Sequence, residues 1–324
     1  MSSHGTHLVN HIHHSTLQND NTLHVVAMVS NPVRYHRRYN LFRQFMAEME
    51  ATKNVVFYVV EIAYGDRHFE CTEAGNPRHL QLRTQQELWH KENALNLGVR
   101  YLLPRNWKYV AWIDGDITFR NPEWAQECLH QLQHHHVVQP WQHVCDLGFD
   151  GDIMQTFDSF CSLIRRGIRI QTHPGEPYKY GHSGFAWACT REFWEQVGGL
   201  MDFAILGSAD HHMAWAMVGE VNKSVHGMMS DDFKRRCHEW QQRAFKITKG
   251  NIGFVKGRIE HHFHGAKKNR KYRERWQLFI DHAFRPDHDL MHDAQGLVML
   301  VAKPKLEMAI MDYMRGRNED SIDV

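Results

Sequence analysis

The sequence predicts an α/β fold, a single domain with a mixed, mainly parallel sheet flanked by helices. Three observations carry that prediction. Residues 23–65 read as strand, helix, strand, the spacing of a parallel βαβ unit. Apolar stripes at helical spacing then alternate with short β-rich runs. One of those runs, "YVAWIDGDITF" (109–119), stops on two aspartates separated by a glycine. Parallel sheets bind ligands beyond such carboxyl strand ends.

The elements follow in order. "LHVVAMVS" (23–30) is β-rich and ends in Ser-Asn-Pro, a turn signal. "YHRRYNLFRQFMAEMEAT" places Leu41, Phe42, Phe45 and Met46 on one helical side. "NVVFYVVEIAYG" (54–65) is a second buried strand, and a polar loop follows it. In 84–104, Leu88, Ala94, Leu95 and Val99 form a helical stripe leading into the strand "KYVAWIDGD". "NPEWAQECLHQLQ" predicts a helix with Asn121 as N-cap and Pro122 in its first turn. "HVVQP" is a short strand. Further on, "GHSGFAWACTREFWEQVGGL" reads as loop, strand, helix and a Gly-Gly stop. Two helices follow, "SADHHMAWAMVGEV" and "DDFKRRCHEWQQRAFK". "IGFVKGRIEHHFHG" is a strand ending in histidines, before a basic stretch and a helix from about Lys305.

Bulk properties bound the function. A chain of 324 residues with 42% hydrophobic and 23% charged residues has ordinary globular composition. A net charge of +1 argues against a protein that coats nucleic acid, though not against a local basic face. No stretch approaches the ~20 apolar residues of a membrane span. The N-terminus lacks a signal-peptide pattern, so a cytoplasmic protein without membrane contact is expected. The six cysteines are scattered with no C-x-x-C pair, as expected for reduced core thiols. Most of the 27 histidines are expected on the surface, and residues 1–22 as a flexible leader.

Two carboxylates two residues apart, Asp114 and Asp116, can converge on one hard cation such as Mn²⁺ or Mg²⁺. Gly115 lets the backbone turn and approach a ligand. The plainer reading is a surface Asp-Gly turn. Calcium is a poor fit, because "ITF" replaces the alternating acidic loop of an EF-hand.

Context sharpens this. "WHKENALNLGVRYLLPRNWKYVAWIDGDITF" joins a Lys- and Asn-bearing helix directly to the acidic strand end. Downstream stand "GHSGFAWACTREFWEQVGGL" and "ILGSADHHMAWA". In this order over residues 23–265, the motifs resemble the nucleotide-sugar glycosyltransferases of the GT-A (Rossmann-like) fold, family-2-like with a galactosyltransferase-like acceptor segment. The resemblance implies a nucleotide-sugar half (23–120), an acceptor half (121–265), and a basic segment with a C-terminal helix (266–324). It implies transfer of a sugar from a nucleoside diphosphate sugar, a UDP-sugar first, to a hydroxyl acceptor. Compact chains with this order also resemble bacteriophage enzymes that glycosylate hydroxymethylated pyrimidines in DNA. DNA, a glycan and a protein all stand as acceptors.

Residue roles follow from the resemblance. Asp116 is the expected direct metal ligand, with Asp114 on metal or ribose. A later ligand is expected from His262 or His264, which alternate to one face along a strand, opposite His261. A three-histidine zinc site is disfavoured by that alternation and by the lack of H-E-x-x-H. Asp210 is the expected base of an inverting reaction. Ala209 stands where the family carries another acid; if Asp210 only caps its helix, a retaining route without a protein base follows. Ser30, Asn31, Arg34, Glu61, Asp66, Arg83, Lys91 and Asn93 are expected around the nucleotide. His182, Gly184 and Trp187 are expected to line the acceptor pocket, Trp187 by stacking. The basic run 264–276 reads as an exposed face, a lid over the diphosphate, or a nucleic-acid contact through 267–276 with Tyr272 and Trp276. A sugar-phosphate nucleotidyltransferase is the rival enzyme class, disfavoured by the missing glycines in "VAMVSNPVRY". A catalytically silent binding protein of the same fold is the third reading.

Overall fold

Apolar runs rich in β-branched residues build two parallel strands, β1 (Leu23–Ser30) and β2 (Val55–Tyr64), with Leu23 beside Val55 and Ser30 beside Ile62. The helix α1 (His36–Ala51) connects them. The computed structural model describes residues 22–168, 170, 181–271 and 274–322. The expected leader, but for its last residue, and Tyr272 of the basic run lie outside the described residues.

Next come β3 (His79–Thr84), α2 (Lys91–Leu102), β4 (Tyr109–Ile113), β5 (Ile117–Phe119) and α3 (Trp124–Gln131). They are followed by β6 (Val137–Gln139), β7 (His143–Leu147), β8 (Ile153–Asp158), α4 (Phe160–Arg165), β9 (Ala186–Thr190) and α5 (Arg191–Val197). The last third holds α6 (Ala209–Met217), α7 (Asp231–Thr248), β10 (Gly253–Phe254), β11 (Arg258–His261), α8 (Glu274–Asp281) and α9 (Pro286–Asp289). A hairpin of β12 (Leu290–His292) and β13 (Val298–Leu300) precedes α10 (Pro304–Gly316).

The central sheet has seven strands in the order β10-β6-β9-β4-β1-β2-β3. Parallel pairing joins β4-β1-β2-β3 and β6-β10; β9 runs antiparallel between β4 and β6. The mixed, mainly parallel sheet flanked by helices is therefore the fold class expected from the sequence. Period-two alternation splits the core between the two faces. Val26 and Val60 join a cluster with α2, α6, α7 and α10, while Val25, Ala27 and Val29 join one with α1 and α3. Leu306, Ile310 and Met314 lie in the first cluster, so the C-terminal helix shares the core of the sheet.

A second sheet, β5-β11-β7-β8, abuts the carboxyl end of β4. Its register matters most for the site. β11 runs antiparallel to β5 with His261 opposite Ile117, and the His262 N–H donates to the Asp116 carbonyl at 2.8 Å. The chain leaves β4 through Asp114 and Asp116 and pairs at once with the histidine-bearing strand.

Local expectations differ at a few points. The polar stretch read as a loop contains β3, a six-residue edge strand with only partial burial. The helix expected across 84–104 starts at Lys91. Asn121 caps no helix: its Oδ1 accepts the Glu123 N–H at 3.0 Å, a turn just ahead of α3. No helix among the described residues is long and apolar enough to cross a membrane.

Candidate active site

Four elements converge on one cavity of about 610 Å³. The carboxyl end of β4 contributes Asp114 and Asp116, and the start of α2 contributes Lys91 and Glu92. The end of β11 contributes His261 and His264, and the first turn of α6 contributes Asp210. Gly184, Trp89, Phe157, Trp215 and Trp276 complete much of the wall, with Lys267, Arg270, Arg275 and Arg317.

Asp116 faces two imidazoles. Its Oδ2 lies 3.0 Å from His264 Nε2 and 3.8 Å from His261 Nε2, and those two nitrogens are 3.2 Å apart. One donor atom from each of the three residues lies within 4.8 Å of the others. The second oxygen, Asp116 Oδ1, is buried without a hydrogen-bond partner. Such an orphan is expensive unless something binds it. Two imidazoles and a carboxylate facing one point are a donor set that suits divalent first-row transition ions, Mn²⁺ among them. Burial alone would raise the Asp116 carboxyl, yet His261 and His264 hold it well below the ordinary carboxylate range. Burial likewise opposes charge on His261, but Asp116 and Asp146 push its pKa up to about 9.

The histidine pair differs from the expected one. His261 joins His264, and His262 does not. Strand pairing ends at His261, so the alternation that would align His262 with His264 stops one residue earlier. His262 instead shares a hydrogen bond of 3.0 Å between its Nε2 and Thr118 Oγ1. Asp114 points elsewhere too. Its carboxylate pairs with the Lys91 ammonium, while its N–H donates to the Phe185 carbonyl at 2.7 Å. Burial opposes the Lys91 charge, and Asp114 raises its pKa above that of an ordinary lysine. Gly115 answers to packing: a Cβ there would lie 2.3 Å from the Phe42 ring.

Asp210 does not cap α6. The N-cap is Ser208, in the left-handed region at φ 74°, and it makes no side-chain cap bond. Among the described residues, the Asp210 Oδ1 accepts the N–H of its neighbour His211, at 2.9 Å. A Cβ on Gly184, in the loop before β9, would come within 2.8 Å of the His182 ring and 2.9 Å of the other Asp210 oxygen, so glycine at 184 leaves both side chains their room. Burial would raise Asp210, but Lys91, His182, His211 and Arg275 pull it below the ordinary carboxylate value. His182 also lines the cavity; burial pulls it down to about 3, and its neutral Nδ1 accepts the Gly184 N–H at 3.0 Å.

Trp187 is the clear departure among the acceptor residues. It is 2% exposed in the core, pairs across β4 with Trp112, and donates its indole N–H to the Ser183 carbonyl at 2.7 Å. Alternation along β9 turns it away from the cavity, where Trp89, Trp215 and Trp276 supply the indole surfaces.

Several residues expected around a nucleotide hold the chain together. The Asn31 amide bridges both backbone groups of Tyr35, at 2.8 and 2.9 Å. Buried Glu61 accepts the N–H groups of Glu70, Cys71 and Thr72 and the Thr72 hydroxyl, at 2.7–3.0 Å. Asn93 latches the β12–β13 hairpin through Gly296 and Val298. Arg83 donates to the Gly65 and Arg67 carbonyls, and Ser30 bonds Tyr64. Arg34 and Asp66 are exposed. In the basic run, Arg270 and Arg275 are buried against the cavity, whereas Lys268 and Lys271 face solvent. Sequence reading missed Glu92, pushed up to about 8 by burial, and Asp146 and Glu319 behind the histidines.

No family model and no curated protein matches the chain. Among solved structures, a mutant of Drosophila beta1,4-galactosyltransferase 7 in complex with manganese, UDP-Gal and xylobiose shares 12% identity. That match covers 88% of this chain and 98% of the other, with a TM-score of 0.38. Staphylococcus aureus TarS shares 10% identity over 71% of this chain and 73% of its own, TM-score 0.36. The 4-diphosphocytidyl-2C-methyl-D-erythritol synthase of Anaerococcus prevotii shares 9% over 74% and 88%, TM-score 0.33. Similarity this distant assigns no activity, and the functional case rests on the chain's own geometry.

Proposed function

We propose that this chain is a divalent-metal-dependent glycosyltransferase of GT-A type. In this reading it moves a sugar from a nucleoside diphosphate sugar to a hydroxyl acceptor with inversion. The observation that carries the reading is the opening of the Asp116–His261–His264 cluster and of the Asp210 carboxylate into one cavity at a carboxyl strand end. Asp116, His261 and His264 would hold a divalent transition ion, Mn²⁺ rather than the oxygen-preferring Mg²⁺, and it would supply Lewis-acid stabilisation of the leaving diphosphate.

The chain's own residues do the rest. Lys91 pairs with Asp114, so the charge of Asp114 is neutralised beside Asp116 at the β4 end. Lys267, Arg270, Arg275 and Arg317 place positive charge where the diphosphate leaves. The acceptor oxygen bonds to the sugar carbon as the bond to phosphate oxygen breaks; the electron pair leaves with the diphosphate, and the hydroxyl proton passes to Asp210. A carboxylate held below its ordinary pKa is a weak base for a resting alcohol. It becomes competent as the attacking oxygen acquires positive charge in the transition state. The indoles of Trp89, Trp215 and Trp276 suit the face of a sugar ring, and equally a base swung out of DNA. Oligosaccharides and hydroxymethylated DNA therefore stand side by side as acceptors for testing.

The test is a thermal-shift panel of nucleotide sugars, UDP-sugars first, with and without Mn²⁺. One donor should raise the melting temperature only when metal is present. Shifts with nucleoside triphosphate plus sugar phosphate, and none with nucleotide sugars, would favour the nucleotidyltransferase class instead.

A further inference from the structure

Two buried carboxylates stand beside the histidines, each on the Nδ1 side of its ring, opposite the Nε2 atoms that face Asp116. Asp146, on β7, takes the His261 Nδ1–H on one oxygen and the Lys267 ammonium on the other. Glu319, past the end of α10, is 1% exposed. It accepts Arg317 Nε at 2.7 Å and Arg38 Nε at 2.8 Å, and its Oε2 lies 3.8 Å from His264 Nδ1. The two Nε2 atoms are left facing each other and Asp116.

A carboxylate on one imidazole nitrogen keeps the proton there, fixes the ring plane and leaves the other nitrogen's lone pair for a metal. We infer that Asp146 and Glu319 are positioning residues for the two histidine ligands, so that the C-terminal turn of the chain is a working part of the metal centre. The inference rests on the metal reading given above.

The surroundings explain how the turn after α10 can do this. The Tyr35 hydroxyl donates to the Arg315 carbonyl at 2.7 Å and accepts the Asn318 N–H at 2.9 Å. The Asp320 carboxylate takes the N–H groups of His36 and Arg37 at 2.9 and 2.8 Å. Gly265, one residue beyond His264, has φ 86°, and a Cβ there would lie 2.8 Å from the Asn318 carbonyl oxygen. The turn is thus fastened both to α1 and to the loop that carries His264. The two carboxylates differ in reach. Asp146 is directly hydrogen-bonded to its histidine, whereas Glu319 stands at ion-pair distance, so Asp146 has the larger effect.

The experiment is calorimetric titration of the full chain with Mn²⁺ alone, alongside melting curves recorded without metal. Asp146→Asn should weaken Mn²⁺ binding roughly 10- to 100-fold, and Glu319→Gln by roughly 10-fold or less. Lys267→Met should leave Mn²⁺ affinity within about twofold, because it removes the other partner of Asp146 and leaves His261 backed. Should Asp146→Asn fail to fold, the double variant Asp146→Asn/Lys267→Met removes both charges together and carries the same expectation. Folded Asp146 and Glu319 variants that bind Mn²⁺ as tightly as wild type overturn the inference and leave the metal reading standing. A wild-type chain that binds no Mn²⁺ overturns both.

Discussion

The carboxyl ends of β1 and β2 and the carboxyl end of β4 are both rich in polar side chains, yet they use them in opposite ways. At the ends of β1, β2 and β3, Asn31, Glu61 and Arg83 are each engaged by two or more bonds to loop backbone. Around β4 and β11, Asp116 keeps an orphaned buried oxygen, and two imidazole nitrogens crowd one point. A strand end becomes a site when its polar groups are left incompletely paired and aimed into a cavity. Polarity at a strand end does not suffice.

The comparison can be broken from either side. The largest effect is expected at Asp210. Asp210→Asn should lower the transfer rate about 10²- to 10⁴-fold while donor and Mn²⁺ still shift the melting temperature. Full transfer by that variant would remove the base from the mechanism.

A smaller effect belongs to the scaffold beside the site. His90 is buried, bonds the Val298 carbonyl through Nε2 at 3.0 Å, and has its pKa pulled down to about 4 by burial. The unfolded chain binds this proton near pH 6.5, so stability is complete above that pH and falls as pH drops towards 4. Between pH 6.5 and 4.5 the loss should be about 2–3 kcal/mol. His90→Gln should flatten that part of the curve in denaturant titrations; an unchanged slope would show that His90 is not its source.

On the β2 side, Glu61→Gln should cost on the order of 2 kcal/mol of stability, because an amide cannot accept all four donors. Its Mn²⁺ affinity should match wild type. A folded Glu61 variant with lost Mn²⁺ affinity would mean that the two strand ends are not separate in function.

Periodicity carried the legible part of the fold. α1 shows a helical stripe, β1, β2 and β4 are near-continuous apolar runs, and the acidic end of β4 is visible because apolar residues stop there. β3 escaped because an edge strand need not be apolar, and the β12–β13 hairpin because each arm has three residues. In the site, Asp116, His264 and Asp210 could be picked out, but the choice of His262 over His261 assumed that the strand continued. Asp146, ending "HVCD" as Asp114 ends "VAWID", carried the same signal of charge closing an apolar run. Glu319 carried none. Its role depends on a contact with Arg38 across 281 residues of chain. For Asn31, Glu61, Asn93 and Arg83, expected around a nucleotide, the structure shows bonds to nearby backbone, and residue type alone cannot tell a ligand group from one so engaged.

The central claim is that Asp116, His261 and His264 hold a divalent ion in this cavity. It is tested most directly by Mn²⁺ titration followed by the paramagnetic resonance of the free ion, comparing His261→Ala with His262→Ala. One Mn²⁺ site is expected in the wild type, kept in His262→Ala and weakened at least about 100-fold in His261→Ala. Loss of the site in His262→Ala with retention in His261→Ala would contradict it.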